Sequence, residues 1–279
     1  MAEPTPASPD WAKASGDVWA RRWQQTDRGL EPLQAPLVLA VAERARGGSF
    51  KAFDIGCGPG STTIAMAETF PEAAIIACDI SEALAKVARQ RTAEIERVQV
   101  IVGDAEAVVA TQAPVDVFFS RHGVMFFSDA VQAFRTIRGA ASDSGSLVFS
   151  CFQHWDLNPW ASELARAAAG KSLPEPGREP GGFAFADPVY VEQLLSASEW
   201  RDAECRAVQF SYTMGEGDSP VEDALSFTTE IGPAARVLES LPEGERDAAV
   251  DRMRDVIERH VDGNAVVFPS AAWIWRATA

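Results

Sequence analysis

Glycines and three acidic residues, Asp54, Asp79 and Asp104, stand at the ends of short apolar runs in the first half of the chain. Three glycines alternate with other residues after the first of these runs: Gly56, Gly58 and Gly60. Glycine allows positive φ and lets a ligand approach the backbone closely. A helix predicted from residue 61 offers free N–H groups there, to which a carboxylate of an amino-acid moiety can bind. The segment is therefore predicted to cradle a polar ligand.

The carboxylates add the chemistry of a nucleoside site. Asp79 ends the second apolar run, 21 residues past Gly58, where a carboxylate can accept hydrogen bonds from both hydroxyls of a ribose. Asp104 ends the third run and can accept from the exocyclic amine of adenine. If these runs are parallel strands, their carboxyl ends meet at one rim, which is where open α/β sheets bind ligands.

The spacing of the glycines bears on which nucleoside is bound. A dinucleotide fingerprint places its third small residue where Ser61 stands, whereas this chain has Gly60. This spacing weakens the alternative of an NAD(P)-dependent oxidoreductase but leaves it open, because a small residue is tolerated at the third position.

The elements that must position these residues alternate between apolar strands and helices. Strands are predicted at 50–55, 74–79, 98–102, 115–120 and 146–152, the last after a turn at 143–145, with further strands at 205–212 and 272–277. Strands that are apolar on both faces and separated by helices indicate a mostly parallel sheet covered on both sides. Right-handed crossovers make this an α/β, Rossmann-like, doubly wound fold.

This pattern divides the chain into five parts. We predict a disordered tail at 1–10, N-terminal helices at 11–48, a cofactor-binding Rossmann-like core at 49–153, a helical lid or substrate insertion at 154–200, and a completion of the sheet with inserted helices at 201–279.

The motif Asp54-x-Gly56-x-Gly58-x-Gly60 resembles the first motif of class I S-adenosylmethionine-dependent methyltransferases. Asp79 and the run Gly103-Asp104-Ala105 match the acidic and adenine-side motifs of that class. The segment 120–127 resembles a bacterial small-molecule subgroup related to ubiquinone- and menaquinone-biosynthesis methyltransferases, which often has Phe where this chain has His122. The resemblance covers 50–155, and beyond that it depends on a closing strand, which the family makes antiparallel. It thus implies a seven-stranded sheet with an antiparallel last strand.

The resemblance implies a role for each matching residue toward S-adenosylmethionine, whose product is S-adenosylhomocysteine. The three glycines line the methionine part, and Asp54 orders their turn and contacts the cofactor amine. Asp79 binds the ribose, with Ile80 against the adenine. The remaining roles follow the third and fourth strands: Asp104 binds the adenine amine, Ala105 offers its backbone N–H, and Ser120 lies beneath the sulfonium.

Methyl transfer from a sulfonium is an in-line displacement. Most of its acceleration can come from holding the donor and the acceptor in line. A general base is needed only when the nucleophile must lose a proton. His122, beside the expected methyl group, is the leading candidate, and His154, after the fifth strand, is the second. No Cys/His cluster has zinc spacing, so no metal site is predicted.

The acceptor site is predicted from aromatic residues and one cation. Trp19 and Trp23 lie in the N-terminal helices, and Trp155 and Trp160 lie in the predicted lid, which favours an apolar or aromatic small molecule. Arg121 either anchors an acceptor carboxylate or pairs with a neighbouring acid.

Composition excludes several classes of partner. The net charge is -15, and no basic cluster is longer than Arg21-Arg22, which argues against nucleic acid and an anionic membrane as partners. The N-terminus lacks the pattern of a signal peptide, and no apolar run of about 18 residues occurs. We expect a cytoplasmic monomer or homodimer with a small-molecule substrate. A non-catalytic protein that keeps the cofactor-binding fold is a further alternative.

Overall fold

The computed structural model describes residues 11–45 and 48–279. The tail predicted at residues 1–10 lies outside these residues. Within them, eight strands form one sheet, and helices pack on both of its faces.

The sheet has the order β3-β2-β1-β4-β5-β8-β6, with β7 paired to β8. The strands are β1 (Lys51–Ile55), β2 (Ala74–Asp79), β3 (Val98–Val102), β4 (Val115–Arg121), β5 (Ala141–Phe152), β6 (Arg201–Glu216), β7 (Val261–Asp262) and β8 (Ala265–Thr278). The pairings among β1 to β5 are parallel, whereas β8 runs antiparallel to β5, β6 and β7. The last strand is therefore inserted between β5 and β6.

Twelve α-helices accompany the sheet in the described ranges. They are α1 (Ala14–Arg21), α2 (Trp23–Leu30), α3 (Gln34–Ala42), α4 (Ser61–Thr69), α5 (Glu82–Arg91), α6 (Ala105–Gln112), α7 (Ala130–Gly139), α8 (Pro159–Ala169), α9 (Pro188–Ala197), α10 (Pro220–Thr228), α11 (Pro233–Ser240) and α12 (Glu243–Glu258). Across the described segments, none of the helices is long and apolar enough to cross a membrane.

Both faces of the central strands are buried, which is why their sequences are apolar without alternation. Successive residues of β4 show this directly. Phe118 packs on one face with Phe53, and Phe119 packs on the other face with Leu37 and Met66. All five side chains are at most 1% exposed. The α/β Rossmann-like fold class is confirmed, with the seven strands of the main path, an antiparallel last strand, and one added two-residue strand, β7.

The fifth strand differs from its prediction. It starts at Ala141, so the segment 143–145, predicted as a turn, belongs to the strand. Val115 pairs with Ala141, while Val117 pairs with Ser146. A bulge in β5 therefore absorbs the extra residues, which gives a turn-like sequence inside a paired strand.

Side-chain caps fix where the helices begin at the carboxyl edge of the sheet. Ser81 accepts a hydrogen bond from the Leu84 N–H at 3.2 Å and starts α5. Asp104 accepts from the Glu106 N–H at 2.8 Å and starts α6. These caps anchor the loops after β2 and β3, and the glycine turn after β1 lies at the same edge.

Candidate active site

The turn between β1 and α4 requires glycine at three positions. Gly56, Gly58 and Gly60 have φ of 66°, 54° and 85°. A side chain at Gly56 would press on Gly123, and one at Gly60 would press on Ala88, each at 3.1 Å. A Cβ at Gly58 would meet nothing within 4 Å. The backbone at Gly58 therefore borders open space and is the place where a ligand can approach this turn.

Asp79 links the end of β2 to that turn. One carboxylate oxygen accepts from the Gly58 N–H and the other from the Ser81 N–H, each at 2.8 Å. The residue is 8% exposed, and burial raises the pKa of its carboxyl group above its ordinary value. Each carboxylate oxygen can accept more than one hydrogen bond, so the side chain keeps capacity for a ligand hydroxyl.

Asp54 lies beneath the turn at the end of β1 and is 1% exposed. One oxygen accepts from the Thr63 hydroxyl at 2.5 Å, while Oδ1 has no hydrogen-bond partner among the described residues. Burial raises the pKa of this carboxyl group to about 7. A buried oxygen without a partner is unusual in a folded protein and marks a place where a donor from a ligand can bind.

The adenine-side residues follow Asp79 on the neighbouring strand. The Gly103 N–H donates to the Asp79 carbonyl at 2.9 Å, which holds the end of β3 beside that of β2. Asp104 is exposed, and Ala105, the first residue of α6, is half-buried. Ile80 is 44% exposed, although it is a large apolar side chain. An exposed isoleucine beside exposed Asp104 suits the flat face and polar edge of a purine.

Ser120 joins the end of β4 to the glycine turn. Its buried hydroxyl donates to the Ile55 carbonyl at 2.7 Å and accepts from the Gly123 N–H at 3.1 Å. The chain turns sharply here, because His122 has φ of 64°. The turn after β4 is thereby held directly against the turn after β1.

His122 is buried at the end of β4. Its Nδ1 lies 2.8 Å from the Ser150 hydroxyl, and its Nε2 has no hydrogen-bond partner among the described residues. The centre of its ring lies 4.1 Å from that of Phe152. Burial, assisted by the positive charge of Arg121, lowers the pKa of the imidazole to about 3. The ring is therefore neutral at physiological pH and is a weak base.

Arg121 pairs with an acid, which is one of the two alternatives that the sequence left open. Its Nη2 lies 2.8 Å from Asp27 Oδ1, and its Nη1 donates to Gln34 Oε1 at 3.2 Å. Asp27 also accepts from Arg91 at 2.8 Å and from the Ser61 hydroxyl. Sequence reasoning missed Asp27, Gln34 and Arg91, because no local pattern connects α2 with the glycine turn.

His154 takes part in a different cluster. It is exposed, and its Nε2 lies 3.1 Å from a Glu175 carboxylate oxygen. His154, Glu175 and Asp156 each offer one atom that could bind a metal ion, and these three atoms lie within 4.8 Å of one another. His154 also lines a cavity of about 500 Å³ with Trp155, Phe183 and Trp273 among its walls. Its hydrogen bonds therefore connect it to Glu175 and to the Asp156 N–H rather than to His122.

Five aromatic residues form a cluster beside His122: Phe152, Trp155, Trp160, Phe183 and Tyr212. Trp160 stacks on Tyr212 with ring centres 4.8 Å apart and planes at 12°, and it lies 5.1 Å from Phe152. Phe183 lies 5.6 Å from Phe152 and 4.9 Å from Trp155. This aromatic cluster connects both predicted lid tryptophans to His122 through Phe152. The sequence did not single out Phe152 or Tyr212.

The predicted tryptophans of the N-terminal helices lie apart from that cluster. Trp19 packs edge-to-face on Trp11 at 5.3 Å, and Trp11 packs on Phe126 at 4.7 Å. Trp23 lies beneath the Arg91 guanidinium at 4.2 Å. Trp23 therefore supports the ion pairs of Asp27, and Trp19 packs near the segment after β4.

The strand order and the glycine turn with Asp79 at its edge define a Rossmann-like methyltransferase fold. Residues 52–145 match the family described as "Methyltransferase domain", so this segment is a methyltransferase domain. The predicted relationship to class I S-adenosylmethionine-dependent methyltransferases is confirmed.

Curated relatives carry related names. The chain is 33% identical over 149 residues to a malonyl-[acyl-carrier protein] O-methyltransferase of Xylella fastidiosa. The aligned region covers 51% of this chain and 50% of that one. The chain is 29% identical over 143 residues to a trans-aconitate 2-methyltransferase of Rhodopseudomonas palustris, covering 46% and 53%. The chain thus spans about half the length of these curated relatives.

Solved structures share the fold over more of the chain. The YcgJ protein of Bacillus subtilis has a TM-score of 0.52 at 17% identity, covering 87% of this chain and 97% of that one. A phosphoethanolamine N-methyltransferase 2 of Haemonchus contortus, solved with phosphomonomethylethanolamine and S-adenosylhomocysteine, has a TM-score of 0.55 at 16% identity, covering 99% and 62%. At these identities the likeness shows the fold.

Proposed function

We propose that this protein is an S-adenosylmethionine-dependent methyltransferase that acts on a small molecule. The observation that carries the proposal is the hydrogen bond from the Gly58 N–H to Asp79, because it joins a backbone bordering open space to a carboxylate suited to a ribose. The methyltransferase domain at 52–145 supports it independently.

The residues present fit the cofactor. Gly56, Gly58 and Gly60 line its methionine part, and the open space above Gly58 admits it. Asp54 lies below that turn, and its unpartnered Oδ1 accepts from the cofactor's amino group, directly or through water. When bound, the cofactor supplies a methyl group on a sulfonium.

The nucleoside part extends along the carboxyl edge of the sheet. Asp79 binds the ribose hydroxyls, and the exposed side chain of Ile80 packs on the adenine. Asp104 binds the adenine amine, and Ala105 offers its backbone N–H. Ser120, whose hydroxyl is already used in holding the β4 turn, lies beneath the sulfonium with its carbonyl.

We propose an apolar or aromatic acceptor that binds in the aromatic cluster, with Trp155 and Trp160 as its main contacts. The cluster is continuous with His122, so an acceptor there approaches the end of β4. Trp19 and Trp23 of the N-terminal helices lie apart from this cluster and support the site through Trp11 and Arg91. The protein's contribution to rate is the alignment of donor and acceptor, for which effective molarities can reach about 10⁵ M or more.

A second candidate is a carboxylate acceptor, which would need no base. Arg121, whose side chain is 8% exposed, offers a positive charge beside His122, and Arg121 and Arg91 share the one carboxylate of Asp27. The curated relatives named for malonyl-[acyl-carrier protein] and trans-aconitate favour this candidate. The exposed His154 then has no part in proton transfer.

The test has two stages. Calorimetry with ligand-stripped protein should detect binding of S-adenosylhomocysteine, and NAD(H) should give no heat. Transfer of a labelled methyl group from S-adenosylmethionine is then followed with phenols, aromatic carboxylates, tricarboxylates and amines. Absence of heat with the nucleoside would overturn the proposal. Binding without turnover on every acceptor would favour a non-catalytic protein, and amines as the best acceptors would contradict both candidate substrate classes.

A further inference from the structure

Ser150 contacts His122 twice from the neighbouring strand. Its hydroxyl lies 2.8 Å from His122 Nδ1, and its carbonyl accepts from the His122 N–H at 3.2 Å. Ser150 is fully buried and pairs in register with Arg121 on β4 and with Ile274 on β8. Its position is therefore fixed by strands on both sides, and the imidazole is held by a rigid part of the sheet.

The backbone of His122 is held in a costly conformation. Its φ of 64° lies in the left-handed region, which residues with a side chain rarely adopt. The next residue, Gly123, has no room for a side chain, because a Cβ would lie 2.6 Å from the Ile55 carbonyl oxygen. Strain of this kind at the edge of a ligand site is maintained by the surrounding structure and often serves the function of the site.

The hydrogen bond decides which ring nitrogen carries the proton. A neutral imidazole has one N–H, and its two nitrogens differ in role. Within the described residues, the Ser150 hydroxyl hydrogen-bonds to no group other than Nδ1. If the hydroxyl donates to Nδ1, the neutral ring carries its proton on Nε2. That Nε2 has no partner in the described chain and is buried, so the one free donor of the ring is kept for a bound molecule.

We propose that Ser150 is a positioning residue that fixes the Nε2–H tautomer of His122, so that His122 donates a hydrogen bond to an oxygen of the methyl acceptor. The proposal rests on the proposed function. His122 then orients an acceptor oxygen that is already anionic, a carboxylate or a phenolate, so the step needs no proton removal by His122. The burial that keeps the ring neutral supports this role, since a cationic or a strongly basic imidazole is not formed there.

The tautomer can be measured without activity. Long-range ¹H–¹⁵N NMR spectra of the full-length protein should show His122 protonated at Nε2, and Ser150→Ala should give a mixture of tautomers. Ser146→Ala is the matched control, because Ser146 lies on the same strand, is 3% exposed, and has a hydroxyl without a partner among the described residues. It should leave the His122 signals unchanged. A wild-type ring protonated at Nδ1 would overturn the proposal.

Kinetics with the phenol or carboxylate that gives the highest turnover provides the second readout. Ser150→Ala should lower kcat/KM about 10-fold, the loss expected for one hydrogen bond. Its affinity for S-adenosylhomocysteine should match that of the wild type. Ser146→Ala should match the wild type both in kcat/KM and in this affinity. Ser150→Thr, which keeps the hydroxyl, should restore part of the rate. If Ser150→Ala does not fold, the tautomer of the wild-type ring in the NMR spectra is the test.

Equal rates for Ser150→Ala and Ser146→Ala would contradict the positioning role. Failure of the proposed function gives a different result, because the wild type would then bind no S-adenosylhomocysteine. In that case the NMR tautomer alone decides whether Ser150 sets the state of His122.

Discussion

Asp27 and Arg121 form an ion pair of 2.8 Å between α2 and the end of β4. The two side chains are 15% and 8% exposed. The second oxygen of Asp27 pairs with Arg91, which also donates to the Pro59 carbonyl at 2.9 Å in the glycine turn. One carboxylate thus joins the N-terminal helices to two strand ends of the proposed cofactor site.

Asp27→Asn should destabilise the protein, because it leaves two arginines without their shared counter-charge. Removing one partner of a largely buried pair costs about 3 kcal/mol, which urea unfolding can measure. Glu82→Gln is the control, since Glu82 pairs with Arg89 at 3.1 Å on the exposed surface. That change should cost less than about 1 kcal/mol. Similar losses for both variants would argue against a structural role of Asp27.

Gly58→Ala should block cofactor binding while the protein still folds. The new methyl group meets no protein atom within 4 Å, but it would occupy the space where the cofactor approaches the backbone. The positive φ costs about 1–2 kcal/mol in stability. In calorimetry we expect S-adenosylhomocysteine to bind at least about 10-fold more weakly, a loss of 1.4 kcal/mol or more.

Gly263→Ala separates strain from blocked binding. Gly263 has φ of 61°, and a Cβ there also meets nothing within 4 Å, but it lies between β7 and β8, away from the proposed site. Gly263→Ala should show a similar loss of stability and keep the wild-type affinity. If both variants bind equally well, the ligand does not approach the turn at Gly58.

Asp54→Asn should change how stability depends on pH. The pKa of Asp54 is about 7 in the folded protein and near 3.8 as an ordinary carboxyl group. The folded state therefore binds more protons between these values, and the wild-type free energy of unfolding falls as the pH rises toward 7. Asparagine does not titrate and removes this fall.

The measurement is the free energy of unfolding of both proteins, without ligand, at pH 5 and pH 8. The difference in favour of Asp54→Asn should grow by about 2–3 kcal/mol between the two pH values. His122 titrates in both proteins and cancels in the comparison. Parallel pH profiles would show that the carboxyl group is not held in its neutral form.

Gly29→Ala tests the packing of α2 on the aromatic cluster. A Cβ at Gly29 would collide with the ring of Tyr212. Alanine usually stabilises a helix relative to glycine, by up to about 1 kcal/mol, but here overpacking should cost about 1–3 kcal/mol. Gly244→Ala in α12 meets nothing within 4 Å and should be neutral or stabilising. In thermal unfolding, the Tm of Gly29→Ala should therefore fall, whereas the Tm of Gly244→Ala should stay the same or rise.

The sequence by itself determined the features that depend on neighbouring residues. The glycine turn and the apolar strands on either side of it were predicted, because conformational freedom and burial are encoded within a few positions. Asp79 was predicted at the turn, since parallel strands bring their carboxyl ends to one edge. Asp104, which caps α6, and Pro233, which begins α11, are local signals of the same kind.

Only the tertiary structure decided the pairs between distant residues. Asp27 and Arg121 are 94 positions apart, and His122 and Ser150 are 28 apart, so the order of the strands and the packing of α2 bring them together. The same packing leaves His122 with one nitrogen that has no partner among the described residues. It places His154, the second candidate base from the sequence, in a separate exposed cluster. The sheet edge follows from local pattern, whereas the contacts and charge states of its side chains depend on which distant segments bury them.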